Sequence, residues 1–197
     1  KAIMNNFRLT SFLTSNIDID KNNLESLVSQ CKTKFVKKGE YLLKEGEKCK
    51  HSFFVEHGLL RQFALDDKGK EHILQFAPEN WIVTDRESVY FDQPSAYYIQ
   101  ALENTNTILF EESLILHLSK QDPSFLEFNN KLLHNHIRQL QRRITLLISA
   151  TAEERYLDFV RLYPDLLLRV PQWQIASYLG ITAESLSRVR KELATKS

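Results

Sequence analysis

The sequence predicts an α+β chain with three parts. These are an N-terminal double-stranded β-helix of jelly-roll, cupin-like form, a long dimerisation helix, and a C-terminal helix-turn-helix domain. Three patterns predict this. Short β-type runs (YLLKEG, SFFVEHG, LLRQFAL, HILQFA, TILFEE) alternate with turn residues between Phe35 and Phe110. Leucine recurs every seventh residue from Leu126 to Leu147. Near the end, two short helical patterns flank Gly180. The corresponding segments are 1–120, 121–150 and 151–197.

The first residues, up to about 21, read as a short helical lead-in. In the β region Gly39, Gly46, Gly58 and Gly69 fall within 31 residues of one another, which suggests several tight turns. Asp66-Asp67-Lys68-Gly69 separates two β-type runs and reads as a hairpin loop. After Asp122-Pro123 the period becomes helical. Leu126, Leu133, Leu140 and Leu147 occupy heptad position d, with Asn130, Ile137 and Ile144 at a. That combination favours a parallel pair of helices whose register the asparagine fixes. An amphipathic helix packed on its own barrel would carry a similar stripe. Gln139, Gln141, Arg142 and Arg143 are expected as solvated flanks or cross-pairs.

Thr151-Ala-Glu-Glu154 matches a capping box, so a helix should start there and stop before Pro164. Pro171 suits the first turn of the next helix, in which Ile175, Ala176 and Leu179 share a face. Gly180 fits a left-handed cap, and Thr182 is a good N-cap for the last helix. There Leu186, Val189 and Leu193 should face inward, leaving Glu184, Ser185, Arg188 and Lys191 outward with Ser187 to one side. A major groove accepts the N-terminal half of such a helix. Arg188 can pair with guanine O6 and N7, and Glu184 can accept from cytosine N4. Ser185 and Ser187 reach bases or phosphates, while Arg190 and Lys191 suit the phosphate backbone.

Composition is compatible with this reading. The 197 residues are 43% hydrophobic and 26% charged, enough apolar material for a packed core. Residues 131–197 carry eleven Lys or Arg against six Asp or Glu, a charge of +5, whereas residues 1–130 carry fifteen against nineteen, −4. A basic C-terminal third favours an anionic partner such as double-stranded DNA. No apolar run is long enough for a bilayer, and KAIMNNFRLTSFL lacks the features of a secretory signal. The expected location is the cytoplasm, without a membrane partner. Cys31 and Cys49 are too few for a disulfide scaffold or a zinc site and read as reduced thiols.

The stretch IASYLGITAESLSRVRKEL closely resembles the recognition motif of the Crp/Fnr family of bacterial transcription regulators, I-A-x-x-L-G-x-T-x-E-x-x-S-R. Ile175, Ala176, Leu179, Gly180, Thr182, Glu184, Ser187 and Arg188 all match. VKKGEYLLKEGEKCKHSFFVEHGLLR resembles the family's β-roll signature. The resemblance implies a sensor barrel, a dimer helix and a winged helix-turn-helix in this order. It also implies a homodimer on a near-palindromic site and contact with RNA polymerase. By resemblance Glu184, Ser187 and Arg188 read bases. A family arginine just before the glutamate is Ala183 here, so the preferred DNA sequence does not carry over from relatives. Relatives continue into a β-hairpin wing, which the resemblance implies is shortened or missing after Leu193. A degenerate module acting through protein contacts without DNA is the alternative.

Family members that sense cyclic AMP carry Gly-Glu and, further on, Arg-Ser or Arg-Thr followed by Ala. In WIVTDRESVYFDQPSAYYIQAL the segment Ser95-Ala96 matches the end of that cassette, but Pro94 replaces the arginine and the Gly-Glu pair is absent near Thr84 and Asp85. A buried phosphate without a fixed cation is costly. Cyclic AMP is therefore disfavoured, and another small effector around Thr84, Asp85, Arg86, Ser95 and Ala96, or none, is expected. No cofactor or metal is predicted: two cysteines cannot hold an iron–sulfur cluster, and His51, His57 and His72 read as ordinary histidines rather than haem ligands. His134 and His136 lie two apart on a helix and point to opposite sides, which argues against a metalloenzyme.

Overall fold

The computed structural model describes residues 7–196 apart from Ile17 and Ile19. In chain order the elements are α1 (Phe7–Thr14), α2 (Lys21–Gln30), β1 (Lys32–Val36), β2 (Tyr41–Leu43), β3 (Ser52–His57), β4 (Leu60–Leu65), β5 (Glu71–Ala77), β6 (Ile82–Val83), α3 (Arg86–Phe91), β7 (Tyr98–Ala101) and β8 (Thr105–Phe110). Then follow α4 (Glu112–Gln121), α5 (Pro123–Ser149), α6 (Ala152–Leu162), α7 (Leu166–Arg169), α8 (Gln172–Leu179) and α9 (Ala183–Lys196). They form two compact units. One comprises the chain up to Leu65 together with Leu74–Leu132, and the other comprises Asp66–Ile73 together with the chain from Leu133 onward. Of the expected lead-in, the first six residues, Ile17 and Ile19 lie outside the described residues; α1 falls within it and α2 begins at its end.

The first unit is built on two four-stranded sheets, ordered β1-β8-β3-β6 and β2-β7-β4-β5. Alternation along β3 explains how the sheet buries both faces. Phe53 and Val55 join Val36, Leu60, Val83 and Ile99 in one core cluster. Phe54 points the other way, pairs in register with Ile108, and packs with Leu9, Leu13 and Leu118 in a second cluster. Glu56 holds α1 in place by accepting from the Arg8 and Leu9 amides at 3.1 and 2.9 Å. Gly58 joins β3 to β4 at a φ of +101°.

Two short helices escape the periodicity argument. The six residues of α3 are held by Asp85, whose side chain accepts from the Glu87 and Ser88 amides. The stripe of α4 merges in sequence with that of α5, and the break is set by Asp122-Pro123, where Asp122 Oδ1 accepts from the Ser124 amide at 2.9 Å. Helix α5 has a buried face and an exposed one. Phe125 and Phe128 are buried in the second cluster, while Leu126, Ile137, Leu140, Ile144 and Leu147 lie on an exposed face.

In the second unit the Thr151–Glu154 capping box is formed and α6 ends at Leu162, before Pro164. Helix α6 packs on α8 and α9. Phe159, Tyr163 and Tyr178 form an aromatic trio with ring centroids 5.3–5.8 Å apart. Helix α8 ends in a Schellman closure, with Ile181 N donating to Ala176 O at 3.0 Å and Gly180 N to Ser177 O at 3.1 Å. This requires left-handed backbone at Gly180, whose φ is +66°.

Candidate nucleic-acid interface

The turn and the first half of α9 form a connected polar surface. Thr182 Oγ1 accepts from the Ser185 amide at 3.2 Å and so caps α9. Ser185 Oγ accepts from Arg188 Nη2 at 3.4 Å. The Glu184 carboxyl is held below its ordinary value by its own backbone N–H, by the Thr182 hydroxyl and then by the Arg188 guanidinium. Thr182, Glu184, Ser187, Arg188 and Lys191 are exposed, Ser185 and Arg190 are half-buried, and Leu186 and Val189 form the buried side. An acceptor (Glu184), a planar donor fork (Arg188) and hydroxyls thus share one outward face, matching the donor and acceptor pattern of base edges.

The apolar stripe of α5 stands out beside this surface. Leu126, Ile137, Leu140, Ile144 and Leu147 are 41–56% exposed, Asn130 is exposed, and Leu133 is half-buried. Leu147 also reaches the turn: a Cβ on Gly180 would stand 3.2 Å from its Cδ2. Arg142 is exposed, as expected, while the expectation for Arg143 is corrected. Arg142 pairs with Asp158 at 2.6 Å. Arg143 is largely buried, donates through Nη2 to Ile73 O at 2.8 Å and Tyr178 O at 3.0 Å, and lies 3.9 Å from the Tyr178 ring centroid. Burial pushes its guanidinium below the ordinary value. Arg155 Nη1 donates to Leu179 O at 2.8 Å, so two arginines meet the carbonyl end of α8. Sequence periodicity could not find them, because it places an arginine on a face without saying what covers that face.

Of the expected effector residues, the fold gathers three. Asp85 and Ser95 are buried, and Ser95 Oγ donates to Asp85 Oδ2 at 2.6 Å. Thr84 is half-buried, with its carbonyl 3.4 Å from Gln62 Nε2. Arg86 and Ala96 are exposed. Arg61 is also buried; it forks onto Gln100 Oε1 at 2.9 and 2.6 Å and lies 4.2 Å from the Phe63 ring centroid. The centre of the group is therefore an acid. A separate cleft of about 370 Å³ is lined by Lys32, His51, Glu111, Ser113 and His117 among others, and none of the five expected residues borders it. The two cysteines are not joined in a disulfide, and burial pushes the Cys31 thiol up to about 12. Among the described residues no three His, Cys, Asp or Glu side chains gather as a metal site. No described helix is long and apolar enough to cross a membrane.

Comparison with known proteins agrees with the element order. Residues 33–122 match the cyclic nucleotide-binding domain family. The transcriptional activator protein Anr of Pseudomonas aeruginosa is 29% identical over 182 residues, covering 86% of this chain and 72% of the relative. The fumarate and nitrate reduction regulatory protein of Vibrio cholerae is 25% identical over 165 residues, covering 78% of this chain and 65% of the relative. Among solved structures, FixK2 of Bradyrhizobium japonicum superposes with a TM-score of 0.71 at 21% identity, over 84% of this chain and 85% of that one. With a β-roll of the cyclic nucleotide-binding kind, a long helix and a terminal helix-turn-helix in that order, the chain is similar over most of its length to transcription regulators of the Crp/Fnr kind.

Proposed function

We propose that the protein regulates transcription by binding a near-palindromic site on double-stranded DNA as a homodimer in the cytoplasm, with α9 in the major groove. The observation that carries this reading is the outward network of Thr182, Glu184, Ser185 and Arg188. Arg188 and Glu184 read base edges, with Ser185 and Ser187 beside them, while Arg190 and Lys191 meet phosphates. The exposed stripe of α5 supplies the contact with a second copy, and Asn130 sets its register. Two recognition helices would then lie about 34 Å apart, one turn of DNA. RNA polymerase is the expected further partner. The Thr84, Asp85 and Ser95 group is the seat for an effector other than cyclic AMP, because its centre is a carboxylate.

Enrichment of bound duplex from random genomic fragments, followed by sequencing, tests the reading and yields the operator. Arg188→Ala should then lose about 1–3 kcal/mol of discrimination per half-site. Arg190→Ala should weaken selected and unselected duplex alike and lower the salt slope by about one. Equal losses on both duplexes for Arg188→Ala would rule out base reading by this residue. Failure of the wild-type protein to enrich any duplex would favour a module that works through protein contacts.

A further inference from the structure

The first unit carries a polar cleft that takes no part in DNA reading. It measures about 370 Å³ and lies between the end of α2, the strands β1 and β8, and the first turns of α4. Leu109 and Leu114 supply an apolar wall. Lys32 of β1, His51 just ahead of β3, and Ser113 and His117 of α4 supply polar groups. Ser113 and His117 are four residues apart, so one face of α4 presents a hydroxyl and an imidazole to the same space.

Glu111 is the acid of the cleft. Its Oε1 stands 3.8 Å from Lys32 Nζ and 3.6 Å from His51 Nε2. Both distances exceed a hydrogen bond, so the carboxylate is drawn to the two groups without being locked to them. Nor does the helix hold it. Glu111 is the N-cap of α4, yet its side chain makes no capping bond and is 54% exposed. The carboxylates of Asp85 and Glu154, by contrast, each accept from backbone amides.

We propose that this cleft binds a small oxyanion, a carboxylate or phosphate of metabolite size, whose oxygen takes the place between Lys32 and His51 that Glu111 Oε1 now fills. The resident carboxylate marks the spot as one that suits an oxyanion, since an ammonium and an imidazole converge there from separate segments. A ligand with further oxygens can also reach the Ser113 hydroxyl and the His117 ring. The wall of Leu109 and Leu114 favours an organic body behind the charged group. Glu111 swings to solvent as the ligand enters, so it acts as a built-in competitor. Occupancy would tie β1 to α4. Leu118 of α4 packs with Phe125 and Phe128, so the ligand bears on the root of α5.

The test uses the intact 197-residue chain without DNA, so its outcome is independent of the DNA reading. Imidazole resonances are followed by NMR at fixed pH as inorganic phosphate or succinate is added, with sodium chloride at matched ionic strength as the blank. His51→Gln and His117→Gln assign the two rings. The expected result is saturable movement of both rings with phosphate, succinate or both, and none with chloride. The anion that saturates at the lower concentration tells a phosphate source from a carboxylate one. Glu111→Gln removes the competitor and should tighten binding about two- to fivefold, whereas Lys32→Met removes a cation and should weaken it by about as much. Both side chains are exposed, so neither change threatens the fold. Movement that follows ionic strength alone would overturn the site. Saturation that is the same in both variants as in the wild-type protein would place the anion elsewhere and overturn its assignment to this cleft.

Discussion

At Gly58 one hydrogen atom decides whether the barrel closes. A Cβ built there would stand 2.5 Å from Thr105 Oγ1 and 2.8 Å from Asn104 O, and φ is already +101°. Thr105 is fully buried and its hydroxyl is 3.2 Å from the Leu59 amide, so it cannot retreat without losing that bond. Gly58→Ala should destabilise the fold by about 2–4 kcal/mol, combining left-handed strain with overpacking, read from the shift in urea midpoint. The glycine was legible as a turn residue in the sequence; the threonine pressing on it was not, because the two are separated by 47 positions and meet only through β-strand pairing. The same limit applies to Asp85. Its carboxylate was placed in an effector seat by resemblance, whereas its role as the cap of α3 follows from amides that sequence alone does not orient.

Helices show what local pattern can and cannot reveal. The capping box at Thr151 was readable because both of its bonds are made within four residues, with Glu154 Oε2 2.8 Å from the Thr151 amide. Those bonds, first to the Thr151 backbone and then to its hydroxyl, hold the Glu154 carboxyl below its ordinary value of 4.5. A lowered folded value stabilises the ionised cap above 4.5, and this contribution disappears as pH falls through the folded value. Thermal melts across pH should therefore show wild type above Glu154→Gln at neutral pH, with the gap closing in acid. A gap that stays constant with pH would mean that the charge of Glu154 contributes nothing. Helix α5 was legible as a stripe and a period, and its outward apolar face is where the heptad put it. The burial of Arg143 was not legible, since the side chain is covered by Tyr178 and Ile73, which lie 35 and 70 positions away.

For the whole molecule, the decisive quantity is the number of chains in the working unit. Five large aliphatic side chains on α5 stand 41–56% exposed, a density of apolar surface that a lone helix in water does not favour. Replacing Ile137 and Ile144 together by Glu should place like charges at two successive a positions of the paired helices. Sedimentation should then show a single chain where the wild-type protein shows two, and binding to the selected duplex should fall because each half-site acts alone. A dimer that survives both changes would place the contact on another surface. The charge asymmetry, readable by counting, acts at the same scale: the +5 of residues 131–197 sits in the part that would face phosphate, balanced by −4 elsewhere. Asp85 already receives three donors, from Glu87, Ser88 and Ser95, so an effector bound at the proposed seat would meet acceptor oxygens. Such a molecule would have to bring its own hydrogens, as an amine or an amidine does.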